Sequence, residues 1–189
     1  MVDDNELRAT MEKDMGEKLW QTTREKYPIL QQYEFNYAYK PEGVEPPGGM
    51  EFYPPEETDR PKQFPLGKPG VAVFDYRTTP EDIYGDIATH YLVKKDPKLI
   101  EMYNQFKSGM GPQSQEFLRE LYREATDPNS GLRGQVETRP YEQWLDVSGM
   151  DQYLRGYLAN QFNPNDFSKV YTPQQLQVLQ QMKQYLGLK

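Results

Sequence analysis

His90 is the single histidine of this 189-residue chain, and it stands four residues after Asp86 and eight after Asp82. On a helix those spacings place all three side chains along one edge, and two carboxylates with an imidazole can ligate a divalent cation. A metal-dependent hydrolase built on Asp82, Asp86 and His90 is therefore one chemistry open to the chain. The same residues are also explained without a metal, as a solvated helix edge. Asp82 stands where the third residue of a helix reaches back to its cap, and no second histidine completes an HExxH pair. Serine chemistry would have to share His90, and Ser108, Ser114, Ser130, Ser148 and Ser168 show no nucleophile-elbow context. The 29 acidic residues leave a two-carboxylate glycosidase open without pointing to one. Gly48-Gly49 and Gly109-Met110-Gly111-Pro112 do not match a phosphate-cradling spacing. With no cysteine, thiol nucleophiles, thiolate metal sites and disulfides are all excluded. The expectation is a non-enzymatic protein with no cofactor and no metal.

The elements that would position such residues fall into three parts: a helix over 1–27, a Pro- and aromatic-rich stretch over 28–78 and a helical domain over 79–189. In the first, Leu7, Met11, Met15 and Leu19 recur every four residues beside Trp20, with Asp3, Asp4 and Glu6 at the end where the helix dipole favours acids. Tyr27-Pro28 stops the helix. This Met-rich stripe reads either as docking on the chain's own helical block or as docking on another chain.

The 28–78 stretch holds nine of the sixteen prolines and no serine. Gln31 to Tyr39 alternates weakly, with Tyr33, Phe35, Tyr37 and Tyr39 on one side, and Val71-Ala72-Val73-Phe74 is a second strand candidate. Pro41-Glu42-Gly43, Pro46-Pro47-Gly48-Gly49 and Leu66-Gly67-Lys68-Pro69-Gly70 read as turns. A flexible linker favours serine, glycine and charge; large rings gain most when buried, and proline lowers the entropy lost on ordering. The stretch is expected to be an extended arm with little regular structure. Its candidate protein-binding residues are Tyr33, Phe35, Tyr37, Tyr39, Phe52, Tyr53 and Phe64, joined by Leu7, Met11, Met15 and Trp20. The favoured surface belongs to neighbouring subunits; the alternative is that the arm wraps its own chain.

From Thr79 the pattern changes to capped helices. Thr79-Pro80-Glu81-Asp82 opens one, Asp96-Pro97 a second ending near Ser108-Gly109, and Gly111-Pro112 a third. A loop runs from Asp127 to Gly134. Arg139-Pro140 starts a short helix with Tyr141, Trp144 and Leu145; Ser148-Gly149-Met150-Asp151 reads as the capping box of another. Thr172-Pro173-Gln174-Gln175 caps the last helix, which ends at Gly187. Together these predict a mainly α fold with a bundle of about six short helices.

Composition narrows the partners. The net charge is −7 with no basic stripe, so direct nucleic-acid binding is not expected. Fifteen tyrosines and eight phenylalanines argue against a wholly disordered chain despite a mean hydropathy of −0.94. No run approaches eighteen apolar residues and the first residues lack a signal pattern, so a soluble protein made in the cytosol, without membrane contact, is expected.

Asp82-Ile83-Tyr84-Gly85-Asp86-Ile87-Ala88-Thr89-His90-Tyr91-Leu92, Tyr141-Glu142-Gln143-Trp144-Leu145 with Arg155-Gly156-Tyr157-Leu158, and Tyr171-Thr172-Pro173-Gln174-Gln175-Leu176 give residues 80–189 a style that resembles small accessory proteins of tailed bacteriophages. The resemblance implies a protein of the virus particle or of host takeover. The expected function is a structural or assembly protein of a virion, docking by its helical domain and strapping onto neighbouring subunits with its arm. The alternative is a phage-encoded regulatory binder that inhibits a host enzyme or defence complex.

Overall fold

The computed structural model describes residues 4–39, 50–55, 61–73, 77–129 and 136–189. The expectations for Asp3, for the turns at Pro41 and Pro46-Pro47-Gly48-Gly49, for Phe74, Tyr76 and Ser130 and for the loop glycines Gly131 and Gly134 lie outside those residues. So do the side chains of Asp4, Glu6, Leu7 and Tyr39.

The fold is mainly α, as the capping pattern predicts. Its elements are α1 (Asp4–Lys26), β1 (Asn36–Tyr39), β2 (Met50–Tyr53), β3 (Gly70–Val73), α2 (Pro80–His90), α3 (Pro97–Ser108), α4 (Pro112–Thr126), α5 (Tyr141–Trp144), α6 (Met150–Leu158), α7 (Phe167–Val170) and α8 (Pro173–Leu186). They form two compact units, Met1–Tyr91 and Leu92–Lys189. The boundary therefore falls after α2, not at 78/79, and α2 closes the first unit instead of opening the helical one.

In the first unit α1 ends at Tyr27, whose ring stacks on Tyr84 of α2 at 3.8 Å between centroids, and Lys26 bonds the Glu81 carboxylate. A 3-10 turn over Pro28–Gln32 follows and buries Leu30 completely. The 28–78 stretch carries little regular structure, as expected: this turn and three strands of four residues each. The strands nevertheless make a sheet of order β1-β3-β2, with β1 parallel and β2 antiparallel to the central β3. Successive side chains of a strand point to opposite faces. The register pairs Ala38 with Ala72, and Tyr53 with Gly70, on one face, where Tyr53, Phe64 and Ala72 form a buried cluster against Ala38. Tyr37, Val71 and Phe52 share the other face, from which Tyr37 reaches Trp20 of α1 and Phe52 reaches Tyr91.

Met11 and Met15 of the stripe do not face the unit's interior, and Leu19 is half-buried. Gly16 and Thr23 are buried, while Met11 and Met15 are 58% and 53% exposed. Thr23 can be buried because its hydroxyl donates to the Leu19 carbonyl at 2.8 Å.

The second unit is built from helices whose starts are fixed locally. Asp96 accepts from the Lys98 and Leu99 amides at 2.9 and 3.1 Å. The Thr172 hydroxyl accepts from the Gln175 amide at 3.2 Å, and the Gln175 side chain accepts from the Thr172 amide at 3.1 Å. These satisfy donors that a helix N-terminus otherwise leaves open. At the far end of α8, Gly187 takes the left-handed conformation, φ 68°, that favours glycine after a helix.

The core of this unit is a stack of rings. Tyr153 and Tyr171 lie 4.7 Å apart, and Phe106 packs 5.4 Å from Tyr153. The Tyr171 hydroxyl donates to the Tyr153 carbonyl at 2.6 Å, and the Tyr153 hydroxyl lies 2.8 Å from the Val170 carbonyl and 3.0 Å from Gln175 Oε1. Burial pushes the Tyr153 phenol up to about 12 and the Tyr171 phenol well above its ordinary range, so both remain protonated donors at ordinary pH. Gln175 is fully buried at the centre. Its Oε1 accepts from Ser114 Oγ at 2.8 Å, and its Nε2 donates to the Phe106 carbonyl at 3.3 Å.

One expectation is corrected here. Ser148-Gly149-Met150-Asp151 does not cap a new helix: α5 runs through a π-helical turn, Leu145–Gly149, directly into α6. Three tertiary contacts override the local signal. Ser148 Oγ accepts from Arg139 Nη2 at 3.2 Å, buried Asp151 takes Lys94 Nζ at 2.9 Å, and Gly149 packs against the Trp144 ring. A Cβ at Gly149 would stand 2.7 Å from the Trp144 ring.

The entry to α5 carries a pH-dependent clasp. The Glu137 carboxylate accepts from the Arg139 amide, Nε and Nη2 at 2.8, 2.8 and 2.6 Å. These bonds hold its carboxyl at about 2, against an ordinary value of 4.5. A carboxylate depressed in the folded state contributes stability above its unfolded pKa and loses it as pH falls through the folded one. Stability should therefore fall with acid between about pH 4.5 and 2 more steeply in the native chain than in Glu137→Gln. Thermal melts of both proteins across that window check it.

Candidate docking surface and aromatic groove

The candidate site residues whose side chains are described all lie in the first unit. Met11 and Met15, one turn apart on α1, face solvent. Trp20 stands on another side of the helix, stacked on Tyr37 at 5.2 Å and edge-on to Phe35 at 5.6 Å. Tyr33 and Phe35 each pack edge-on to Tyr91 at 5.5 Å, and Phe52 lies 5.8 Å from Tyr91 and 6.3 Å from the His90 ring. Tyr53 and Phe64 stack on each other at 5.0 Å and are 5% and 2% exposed.

That placement corrects the reading of the arm. Tyr53 and Phe64 are core residues and cannot meet a neighbouring subunit. Tyr33, Phe35, Tyr37 and Phe52 spend one side each on their own unit. The physical reason is that large rings gain most when buried, and Trp20 and Tyr91 of the same unit offer them ring surface. Among the described residues the 28–78 stretch wraps its own chain.

The proposed metal edge does not converge. The Asp82 carboxylate turns back to the helix start, where it accepts from the Thr79 amide and hydroxyl at 2.9 and 2.8 Å. Asp86 is buried with its Oδ1 3.6 Å from His90 Nε2, an ion-pair distance beyond hydrogen-bond range. Among the described residues no group of three His, Cys, Asp or Glu side chains gathers to hold a metal ion.

What the sequence did not single out is a groove. Glu17, Trp20, Gln21, Arg24 and Glu25 of α1 form one wall, and Gln31, Phe35 and Tyr37 the other, of a wide, open groove of about 730 Å3. This lies within the ~300–1,000 Å3 range of ligand pockets. Gln31 ties the turn to the helix end by donating to the Arg24 carbonyl at 3.3 Å. Glu17 pairs with Lys13 at 3.8 Å, and Glu25 accepts from Gln21 Nε2 at 2.9 Å. Arg24 differs: its Nε is buried and meets no acceptor among the described residues. Neither a protein-family model, nor a curated protein, nor a solved structure matches the chain. The site must therefore be interpreted from its own chemistry.

The i, i+3, i+4, i+7 spacing of Glu17, Trp20, Gln21 and Arg24 was a visible signal, since such residues share one helix face. What the spacing does not carry is the opposite wall, which comes from a turn and a strand. Among the described residues no helix is long and apolar enough to cross a membrane.

Proposed function

We propose that the chain is a non-enzymatic structural protein that docks onto other protein subunits of a larger assembly, with α1 as its contact element. The observation that carries this reading is the exposed pair Met11 and Met15. They stand on a helix that already packs on its own unit through Gly16 and Thr23. Methionine is unbranched and polarisable and adapts to a partner surface, so it is over-used in protein contacts. Docking would bury both side chains and remove this exposed apolar surface.

The resemblance of residues 80–189 to accessory proteins of tailed bacteriophages supports a virion as the assembly. Mass spectrometry of particles purified from the culture that makes this chain tests that step. The expected result is the chain at a fixed ratio to the major particle protein. Its absence from particles, together with a stable one-to-one complex with a different protein, would overturn the virion reading in favour of a regulatory binder.

A further inference from the structure

We propose that Met11 and Met15 are a redox switch on the docking helix: a peroxide converts both thioethers to sulfoxides, and the oxidised helix no longer docks. The switch rests on the docking reading and names how that contact is regulated.

The chain has eight methionines and no cysteine, so no thiol competes for a two-electron oxidant. The methionines differ in access. Among the described side chains Met150 and Met182 are buried, Met50, Met102 and Met110 are half-buried, and only Met11 and Met15 are exposed. Susceptibility to oxidation follows exposure. A spacing of four puts both sulfurs on one side of α1, so both would react at the same surface.

No cofactor is needed. The thioether sulfur attacks one oxygen of hydrogen peroxide, the O–O bond breaks, and the departing hydroxide takes the proton of the transferred oxygen and leaves as water. Each sulfur is oxidised by two electrons and each peroxide is reduced by two. The product replaces a flexible apolar side chain with a polar, chiral one, and sulfoxide reductases reverse it. A sulfoxide buried in an apolar contact without donors is costly. On the solvent side of α1 it disturbs nothing in the fold, because neither side chain faces the unit's interior. Docking in turn buries the two sulfurs and shields them. Docking and oxidation therefore exclude each other at the same two atoms.

The test uses the full chain in hydrogen peroxide, with each methionine followed by peptide mass mapping. In the free chain Met11 and Met15 should gain one oxygen each at least about tenfold faster than Met150 and Met182, with an unchanged circular dichroism spectrum. In purified particles both should fall to the slow rate. Labelled chain, untreated or oxidised, is then added to a lysate of the culture with its gene deleted, and its sedimentation with the major particle protein is measured. Oxidation should lower that sedimentation about tenfold or more, and methionine sulfoxide reductases should restore it. In Met11→Leu with Met15→Leu the peroxide should change sedimentation by less than about twofold, whatever the level of that variant itself. Equal oxidation rates at exposed and buried methionines would overturn the switch, as would unshielded sulfurs in particles or a loss that the reductases do not reverse. Undiminished sedimentation of the oxidised chain, beside failure of Met11→Glu with Met15→Glu to enter particles, would sink the switch alone and leave docking standing. If the untreated chain does not sediment with the particle protein, the docking reading falls and the switch falls with it.

Discussion

Gln175→Leu should destabilise the second unit by about 3–5 kcal/mol, although leucine has nearly the same volume. The side-chain amide of Gln175 stands at the centre of a fully buried network. The substitution removes the acceptor of Ser114 Oγ and of the Thr172 amide, and the donor to the Phe106 carbonyl. A buried group left without its partner costs about 1–3 kcal/mol, and burying leucine instead of an amide offsets part of the sum. Tyr153 loses least, because its hydroxyl still lies 2.8 Å from the Val170 carbonyl. Denaturant unfolding read by Trp144 in a Trp20→Phe background isolates this unit, since the chain has two tryptophans. A loss under about 1 kcal/mol would show that the network closes without Gln175.

Trp144→Ala should cost about as much, roughly 3–5 kcal/mol, by the different route of a cavity. Trp144 is 1% exposed and packs on Tyr122 and Tyr141 at centroid distances of 5.2 and 5.9 Å. It also covers Gly149, so the two positions must be coupled. Gly149→Ala should destabilise the native chain by about 1–3 kcal/mol through overpacking. In the Trp144→Ala background, where the ring is gone, it should be close to neutral. A double-mutant cycle followed by far-ultraviolet circular dichroism measures that coupling, and additive costs would contradict the close contact of ring and glycine.

The helix starts were the most legible part of the molecule. Thr79, Asp96 and Thr172 cap where the sequence places caps, because a cap is a contract between residues two or three apart. Ser148 carried the same signal and lost, because Trp144, Arg139 and Lys94 act on it and its neighbours from outside that window. The sheet was legible in part. β1 lies inside Gln31–Tyr39, and β3 overlaps Val71–Phe74 but begins at Gly70, in the stretch read as a turn; β2 has no such signal. The parallel pairing of Asn36 with Gly70 joins residues far apart in the chain, and no local pattern encodes it.

On α1 the exposed Met11 and Met15 and the buried Gly16 and Thr23 lie on different sides, a division that a hydropathy stripe alone does not show. The arm's rings are the side chains that gain most from burial. Their partners Tyr91 and His90 sit at the end of α2, in what the sequence divides off as another domain. The groove beside Trp20 was overlooked because Glu17, Gln21 and Arg24 on a polar helix carry no signal until Phe35 and Tyr37 are folded beside them.

The most direct test of the account is the fate of the exposed methionine pair. Met11→Glu with Met15→Glu keeps good helix formers at solvent-facing positions, so the fold and melting temperature should be unchanged. The docking reading predicts that this variant, expressed in place of the native chain, falls at least about tenfold in its ratio to the major particle protein, a loss of roughly 1.4 kcal/mol or more in binding. Incorporation at the native ratio by a folded variant would contradict it.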